Sequence, residues 1–212
     1  ESFIAFGARN ITEDFGITKF DLFHFGEFME SIELPLNGSH NVQNSLVAIA
    51  ISNELGLTFS EIKKGLKSFE GVARRLEILK KTKDFIVVDD YGHHPTELTS
   101  TINAISGLKK DKKLIIIFEP HRYTRTQNCW DEFTKCFKNA DEVHILPIYS
   151  AGESQIKGID SKLLSEQIRQ KSDVKCYFQK SLDDCWQNID LNNCIILTMG
   201  AGKIGREIRE II

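Results

Sequence analysis

The sequence predicts an α/β protein built on a Rossmann-like parallel sheet with helices on both faces. Over residues 84–212, short runs rich in β-branched residues alternate with longer stretches whose apolar residues recur at helical spacing. Such alternation is typical of strand–helix–strand units, whose strands are parallel and whose crossovers are right-handed. Uninterrupted apolar runs, as at residues 114–118, also indicate strands buried on both faces.

In this region five predicted strands alternate with five predicted helices. The strands are expected at residues 85–89, 114–118, 142–146, 174–178 and 194–199. The helices are expected at residues 96–108, 126–139, 159–171, 181–189 and about 203–212. Each helical stretch carries apolar residues three or four positions apart, so each has one face that can pack on the sheet.

The first 70 residues have a different rhythm. Short strands are predicted at residues 3–7, 11–20, 23–28 and 31–36, followed by helices at residues 41–55 and 60–68. Gly56 fits the end of the first helix, because glycine readily adopts the left-handed conformation that ends many helices. A few strands and two helices make only a thin core. We therefore interpret residues 1–72 as the tail of a larger central α/β domain, joined by a linker at residues 70–75 to a second domain at residues 73–212.

The composition is that of an ordinary globular protein, with 41% hydrophobic and 27% charged residues. A formal net charge of -3 gives no reason to expect nucleic acid or an anionic membrane as a partner. The apolar runs are strand-sized and too short to cross a bilayer. The five cysteines show no pairing pattern, which favours free thiols and a cytoplasmic location. Because the sequence begins at Glu1 without a methionine, we expect a fragment.

The first chemically rich stretch directly follows the strand predicted at residues 85–89. Ligands bind outside the carboxyl ends of strands in open α/β sheets, and Asp90 stands at such an end. A carboxylate there can accept hydrogen bonds from both hydroxyls of a ribose. His93 and His94 could bind a metal, but no third ligand lies nearby in the sequence, and a structural role is the alternative. The density of ionisable groups favours a functional site.

A second such stretch follows the strand predicted at residues 114–118. Arg122 and Arg125 could together clamp a small carboxylate, and His121 could bind the same ligand or tune its amine. Glu153, after the third strand, could pair with an ammonium group. The alternative is a basic surface loop, but the expected position beside the Asp90 loop argues against it.

Two further candidates are weaker when taken alone. Asn41 and Asn44 lie three residues apart near a helix start, next to His40, and their amides suit the polar edge of adenine. Capping of the helix is the simpler interpretation. Arg75, with Arg74, could reach a nucleotide phosphate or a carboxylate from the linker, or could belong to a solvated basic turn.

The glycine-rich stretch near the end of the sequence does not predict a dinucleotide site. Residues 200–205 match G-x-G-x-x-G, but that motif belongs after the first strand of a dinucleotide fold. We interpret the stretch as a tight turn from strand to helix at the ligand rim. The sequence also lacks G-x-x-x-x-G-K-[ST], so it contains no phosphate-binding loop of that type.

Taken together, these motifs resemble those of the Mur ligases in order and spacing. The resemblance runs from about residue 30 to the end of the sequence. It is carried by His40-Asn41-x-x-Asn44, Arg74-Arg75, residues 89–97, residues 120–126, Tyr149-x-Ala151-Gly152-Glu153 and Gly200-Ala201-Gly202. The Gly-His-His-Pro-Thr-Glu and Pro-His-Arg-Tyr-Thr-Arg-Thr stretches are similar to those of the family member that adds L-alanine.

This resemblance implies an ATP-dependent amide ligase of peptidoglycan synthesis. ATP would phosphorylate the lactyl carboxylate of UDP-N-acetylmuramate, and the amine of L-alanine would attack the acyl phosphate, releasing ADP and phosphate. Family members have a UDP-sugar domain, a central ATPase domain and a mobile carboxy-terminal domain for the amino acid. This chain would hold the end of the second and all of the third. Most Mg²⁺ ligands would then lie elsewhere, and the chain alone would be inactive.

Position by position, the resemblance divides the candidate residues between two ligands. The nucleotide side comprises His40, Asn41 and Asn44 near adenine, Arg75 near the nucleotide, Asp90 on the ribose, and His93 near the phosphates with a possible catalytic part. The amino-acid side comprises His121, Arg122, Arg125 and Glu153. A clamp on the alanine carboxylate would fix the amine for attack, which is catalysis by proximity and electrostatics.

Three positions depart from the family pattern. Lys203 stands where Asp is expected, which leaves a ligand role for the glycine-rich turn open. Glu119 stands where Gln is common, and Ser150 stands where Ala is usual.

Three other functions are compatible with the sequence. One alternative is the related ligase that recycles a murein tripeptide onto the same sugar. Another is a nucleotide-binding or amino-acid-binding module without chemistry. A nicotinamide-binding protein is the weakest of the three.

Overall fold

The computed structural model describes residues 5–212, and the chain divides between Val72 and Ala73 into two compact units. The first unit contains an antiparallel sheet with strands in sequential order: β1 (Phe6–Asp14), β2 (Ile17–His24) and β3 (Glu27–Leu34). Two helices follow, α1 (Ser39–Glu54) and α2 (Phe59–Lys67). Both helices begin and end within two residues of their predicted positions.

The described part of the first unit has three strands where the sequence predicts four. Turns at Phe15-Gly16 and Phe25-Gly26 fall inside two of the predicted strands, residues 11–20 and 23–28. Gly16 and Gly26 have φ of 86° and 88°, a conformation that glycine adopts without strain and that closes each hairpin. The alternation of apolar residues continues through both hairpins and does not reveal the reversals. Part of the first predicted strand, residues 3–7, lies outside the described residues.

The core of the first unit lies between its sheet and its helices. It is made of buried apolar side chains from β2, β3, α1 and α2, namely Phe20, Leu22, Ile32, Leu34, Val42, Ile49 and Ile62. The strand residues of this set are two positions apart, so they share one face of the pleated sheet. Burial of that face holds both helices against the sheet.

The second unit is a six-stranded sheet with the spatial order β4-β5-β9-β6-β7-β8. Its strands are β4 (Glu77–Lys81), β5 (Phe85–Asp90), β6 (Lys113–Phe118), β7 (Glu142–Ile145), β8 (Lys175–Phe178) and β9 (Cys194–Met199). Five strands are parallel, and β4 pairs antiparallel with β5 at one edge. The predicted α/β fold class is confirmed, with a mixed sheet. The sequence does not predict β4, because this short edge strand is mostly polar.

The helices of the second unit are α3 (Pro95–Leu108), α4 (Tyr123–Asn128), α5 (Trp130–Phe133), α6 (Ser161–Ser172), α7 (Leu182–Asn188) and α8 (Ile204–Ile211). The prediction of one helix at residues 126–139 is wrong. The helix is interrupted at Cys129, with φ -108° and ψ 23°, and turns follow Phe133. Phe133 and Phe137 keep helical spacing across those turns because both pack on Phe118, so periodicity does not reveal the break.

Apolar side chains cover both faces of the larger sheet. On one face Val87, Ile115 and Ile196 pack with buried residues of α7 and α8. On the other face the ring of Phe118 lies 5.5 Å from that of Phe133. Side chains of β6 therefore alternate between two buried faces, which explains its unbroken apolar run. Within residues 5–212, no helix combines the length and apolar character that crossing a bilayer requires.

Candidate functional site

The carboxyl ends of the central strands lie side by side in the second unit. Asp90 at the end of β5 is in register with Met199 at the end of β9, and Met199 is in register with Phe118 at the end of β6. A bridge between His121 and Tyr149 joins the loops that follow β6 and β7. These loops leave the sheet at the edge where open α/β folds bind their ligands.

We call this edge of the sheet the rim. Four aromatic rings lie in a row across it, those of Tyr91, His93, His121 and Tyr149. The first pair of ring centres is 5.4 Å apart, the second 5.7 Å and the third 5.5 Å. His93 belongs to the loop after β5 and His121 to the loop after β6. Their contact therefore brings together the two loops that the sequence marks as rich in ionisable groups.

Asp90 lies at the rim but is almost completely buried, with 4% of its surface exposed. One carboxylate oxygen accepts the N–H of Gly92 at 2.8 Å and the hydroxyl of Thr101 at 3.4 Å, and the other accepts the N–H of Leu76 at 3.0 Å. Burial raises the pKa of Asp90, while the two backbone donors and the charge of Arg75 act against that rise. The Asp90 carboxylate thus joins the backbone at Leu76 to the backbone at Gly92. Since a carboxylate can accept about four hydrogen bonds, a contact with ribose stays a prediction.

The two linker arginines have different surroundings. Arg74 donates to the carboxylate of Asp89 at 3.1 Å and to the carbonyl of Gly200, and its guanidinium lies 4.9 Å from the ring centre of Tyr91. Arg75 is exposed, and its guanidinium lies 5.9 Å from the same ring. Arg74 is therefore bound within the protein, and Arg75 is the linker cation that a ligand can reach.

Hydrogen bonds determine which ring nitrogen of His93 carries hydrogen. Its Nδ1 lies 3.0 Å from the carbonyl oxygen of Tyr91 and 3.6 Å from the carboxylate of Glu97. Both neighbours are acceptors, so Nδ1 carries hydrogen and Nε2 of the neutral ring has the free lone pair. Burial opposes ionisation of Glu97, but the N–H groups of His93 and His94 outweigh it and lower the pKa of Glu97. His93 can therefore accept a proton at Nε2 beside an ionised carboxylate.

The opposite tautomer follows for His121. Nη1 of Arg125 donates to Nδ1 of His121 at 3.2 Å and to its carbonyl oxygen at 3.3 Å. A guanidinium only donates, so Nδ1 of His121 accepts and Nε2 carries the hydrogen. Burial lowers the pKa of His121, and the nearby Arg125, His93 and Arg122 lower it further. His121 is thus a neutral hydrogen-bond donor at the rim, and Arg125 orients it.

Arg122 and Glu153 stand near the start of α4. Arg122 is exposed and has φ 73°, an uncommon conformation for a residue other than glycine. Glu153 accepts the N–H of Thr124 at 3.0 Å and its hydroxyl at 2.7 Å, and these two bonds lower the pKa of Glu153. The ionised Glu153 therefore ties the loop after β7 to α4. Its expected pairing with an ammonium group stays a prediction.

The glycine-rich turn between β9 and α8 encloses a carboxylate of the protein itself. Glu119 is 1% exposed and accepts the N–H of Ile204 at 3.2 Å, at the start of α8. A Cβ on Gly202 would overlap the Glu119 carboxylate and lie 2.7 Å from Cγ of Tyr149. A Cβ on Gly200 would lie 2.7 Å from the carbonyl oxygen of Glu119. The glycines make room for Glu119, which occupies the helix start that binds phosphate in dinucleotide folds.

The three candidates of the first unit lie near the start of α1. His40 and Asn44 are exposed, and Asn41 is half-buried. The side-chain amide of Asn41 donates to the carbonyl of Asn37 at 2.8 Å. The N-cap of α1 is Gly38, so the capping role considered for the two asparagines is wrong. Their contact with adenine stays a prediction.

Some residues at or behind the rim have no role in the sequence interpretation. Tyr91 and Tyr149 are the outer rings of the row, and Asp89 is the fully buried neighbour of Asp90. Since successive strand residues face opposite sides, an Asp-Asp pair at a strand end places one carboxylate on each side. His94 caps α3 by accepting the N–H of Thr96 at 3.4 Å, which supports the structural alternative for this histidine.

No group of three or more His, Cys, Asp or Glu side chains within residues 5–212 is placed to hold a metal ion.

Residues 74–202 match the family described as "Mur ligase, glutamate ligase domain". This chain belongs to the Mur ligase family. Among Mur ligase relatives, a UDP-N-acetylmuramate–L-alanine ligase from Desulfosudis oleivorans is 40% identical over 208 residues, which cover 97% of this chain and 46% of the relative. An enzyme of the same name from Endomicrobium trichonymphae is 39% identical over 197 residues, which cover 92% of this chain and 43% of that relative.

Solved Mur ligase structures agree with this assignment. The crystal structure of the UDP-N-acetylmuramate–alanine ligase from Thermotoga maritima has a TM-score of 0.79 at 25% identity, covering 98% of this chain and 45% of that one. A murein peptide ligase from Psychrobacter arcticus has a TM-score of 0.57 at 22% identity, and the match covers 98% of this chain and 43% of that one. At this identity the similarity is one of fold alone. The chain spans a little under half the length of the curated relatives named above.

Proposed function

We propose that this chain is the carboxy-terminal part of a cytoplasmic, ATP-dependent ligase that joins L-alanine to UDP-N-acetylmuramate. The relatives that carry this name are 39% and 40% identical to it over nearly its whole length. The observation that carries the proposal is the 5.7 Å contact between the rings of His93 and His121. It joins the loop expected to face the nucleotide to the loop expected to hold the amino acid. Amide formation driven by ATP requires the two reactants to meet at one place.

The nucleotide side of the proposed site is cationic and close to the linker. Arg75 is the exposed linker cation, and it would contact the phosphates of ATP. Asp90 would accept from the ribose, and His93 would lie near the phosphates. His40, Asn41 and Asn44, on α1 of the first unit, would bind adenine.

The amino-acid side combines two cations with a neutral donor. Arg122 and Arg125 would hold the carboxylate of L-alanine, and the Nε2–H of His121 would donate to the same group. Arg125 fixes that donor by its bond to Nδ1 of His121. The lowered pKa of His121 keeps its ring neutral near pH 7, so it adds a hydrogen bond without repelling the two arginines. Glu153 would support the alanine ammonium group from the same side.

The reaction would proceed through an acyl phosphate. The lactyl carboxylate of UDP-N-acetylmuramate attacks the γ-phosphorus of ATP and ADP leaves. The amine of L-alanine then attacks the acyl carbon, the C–O bond breaks, and phosphate leaves. The ammonium must lose a proton first, and the free lone pair on Nε2 of His93 can accept it. The Mg²⁺ that phosphoryl transfer requires would be held mainly by residues outside this chain.

A substrate competition tests this proposal in a protein of the relatives' full length that ends in this sequence. With ATP and UDP-N-acetylmuramate, we expect ADP release to depend on L-alanine, and murein tripeptide to be a poor substitute. Mass spectrometry would identify the UDP-N-acetylmuramoyl-L-alanine product. Preferential use of the tripeptide would instead assign the chain to the recycling ligase, and ATP binding without any product would indicate a binding module.

A further inference from the structure

A cluster of ion pairs connects the linker at Arg74 to the last helix, α8. Its centre is Asp89, whose side chain has no exposed surface. Asp89 accepts from Arg74 at 3.1 Å, from Arg209 of α8 at 2.8 Å and from the hydroxyl of Thr198 at 3.0 Å. The other nitrogen of Arg209 donates to Glu77 at 2.5 Å. Arg209 therefore bridges two carboxylates, one on β5 and one on β4.

The segment held by this cluster is strained. Arg74 has φ 59° and Leu76 has φ 49°, left-handed conformations that side chains other than glycine rarely adopt. Three bonds hold this turn: the N–H of Arg74 donates to Glu77 at 2.6 Å, the N–H of Leu76 to Asp90 at 3.0 Å, and the N–H of Tyr91 to the carbonyl of Arg74 at 2.7 Å. Such strain persists only where the surroundings fix it.

The missing side chain of Gly205, at the start of α8, leaves space for Arg74. A Cβ on Gly205 would overlap the guanidinium of Arg74, which also donates to the carbonyl of Gly200. Arg74 is thus enclosed between Asp89, the glycine-rich turn and the ring of Tyr91. With Arg74 fixed, the turn presents the next residue, Arg75, as an exposed cation beside Asp90 and Tyr91.

We infer that Glu77, Asp89 and Arg209 are positioning residues that hold the strained turn at residues 73–76 and thereby present Arg75 to the rim. For the task of Arg75 the inference rests on the proposed function. Arg74 pairs with Asp89, whereas Arg209 pairs with both Asp89 and Glu77. Arg209 therefore connects Asp89 on β5 to Glu77, and Glu77 accepts the backbone N–H of Arg74 in the turn.

Amide hydrogen exchange in the 212-residue chain tests the structural half of this inference. In Arg209→Met, we expect the amides of Leu76 and Tyr91 to exchange at least about tenfold faster, because the turn opens more often. Arg206→Met is the matched control, since it removes the same charge from an exposed position of α8 and leaves the cluster intact. Unchanged exchange at both amides in Arg209→Met would overturn the inference.

Two further variants keep this test decisive. Should Arg209→Met fail to fold, Glu77→Gln weakens the same link at a half-exposed residue and is expected to accelerate the same two amides. Arg209→Lys keeps the charge but cannot reach both carboxylates with a planar fork, so only partial protection is expected. Full protection in Arg209→Lys would show that charge alone suffices and would also overturn the inference.

A double-mutant cycle on the KM for ATP tests the functional half, in a protein of the relatives' length that ends in this sequence. Arg75→Met and Arg209→Met should each raise this KM at least about fivefold, with a smaller change in kcat. The KM for ATP of the double variant should be close to that of Arg75→Met alone, because Arg209 acts through Arg75. Additive effects would overturn the inference. No effect of Arg75→Met on this KM would refute the proposed role of Arg75 itself, and the exchange data would still report separately on the turn.

Discussion

At the scale of single residues, Glu119 is a buried carboxylate whose surroundings disfavour its charge. It is 1% exposed, and it lies close to Glu207 as well as Lys203. Burial raises the pKa of Glu119 and the charge of Glu207 adds to the rise, while the N–H of Ile204 and the charge of Lys203 oppose it. Ionisation of Glu119 is therefore less favourable in the folded chain than in the unfolded chain.

Glu119→Gln is expected to stabilise the second unit at neutral pH. The pKa of Glu119 is higher in the folded chain than in the unfolded chain, where it is about 4.3. Its stabilising contribution is thus complete below about pH 4 and is lost as the pH rises through the folded-state pKa, at about 1.4 kcal/mol per unit of pKa difference. Melting curves at pH 4 and pH 7.5 should show an advantage of the variant at the higher pH only.

Glu132→Gln is the control for that experiment, because Glu132 is an exposed glutamate of α5 in the same unit. Its melting temperature should follow that of the unchanged chain at both pH values. A Glu119→Gln chain that melts lower than the unchanged chain at pH 7.5 would contradict the expectation, and would mean that the ionised carboxylate is needed at the start of α8.

Arg125 has two tasks in the proposed site, since it would bind the alanine carboxylate and it orients His121. In a protein of the relatives' length, Arg125→Ala should raise the KM for L-alanine by about tenfold or more, the usual effect of losing a charge-assisted hydrogen bond. The KM for ATP should change little. Steady-state kinetics with each substrate varied in turn would measure both.

The exposed Arg206 of α8 offers a comparison, because Arg206→Ala removes a cation far from the alanine loop in sequence and outside the rim. That variant should keep both KM values. An unchanged KM for L-alanine in Arg125→Ala, together with weaker ATP binding, would move Arg125 from the amino-acid side to the nucleotide side.

At the scale of elements, the turn between β9 and α8 is built around the side chain of Glu119. Gly202→Ala should destabilise the second unit by about 1–3 kcal/mol, because the added Cβ would overlap the Glu119 carboxylate and lie 2.7 Å from Tyr149. The same change should disturb the stacking of Tyr149 on His121. Chemical denaturation and the fluorescence of the unit would detect both effects.

Gly107→Ala is the matched substitution in α3, where a Cβ meets no atom within 4 Å. Alanine is favoured over glycine inside a helix, so this variant should be more stable by up to about 1 kcal/mol. Equal effects of the two substitutions would show that the glycine-rich turn tolerates a side chain, and that crowding around Glu119 does not explain its glycines.

At the scale of the whole molecule, the chain spans less than half the length of the relatives named above, and its sequence lacks the G-x-x-x-x-G-K-[ST] loop. We therefore expect the purified 212-residue chain to release no ADP from ATP in the presence of UDP-N-acetylmuramate and L-alanine. A coupled ADP assay checks this, with a relative of full length as positive control. Turnover by the isolated chain would contradict the proposed division of the site.

The sequence by itself determined the fold class, the order of the five parallel strands along the chain, and the stretches that carry ionisable groups. It could do so because burial imposes local periodicity: strands buried on both faces are apolar throughout, and the loops after them are polar. The same periodicity did not reveal the hairpin turns at Gly16 and Gly26 or the break at Cys129, since apolar spacing continues across all three.

Only the tertiary structure decided which members of each motif face one another. Sequence neighbours such as Arg74 and Arg75, or Asp89 and Asp90, have the same chemistry. The fold places one of each pair in the ion-pair cluster around Asp89 and the other at the rim. The tautomers of His93 and His121 were likewise fixed by partners from the folded backbone and from Arg125. Arg209 lies 120 residues from Asp89 in the sequence, and no local pattern encodes a contact that the sheet and α8 create by packing.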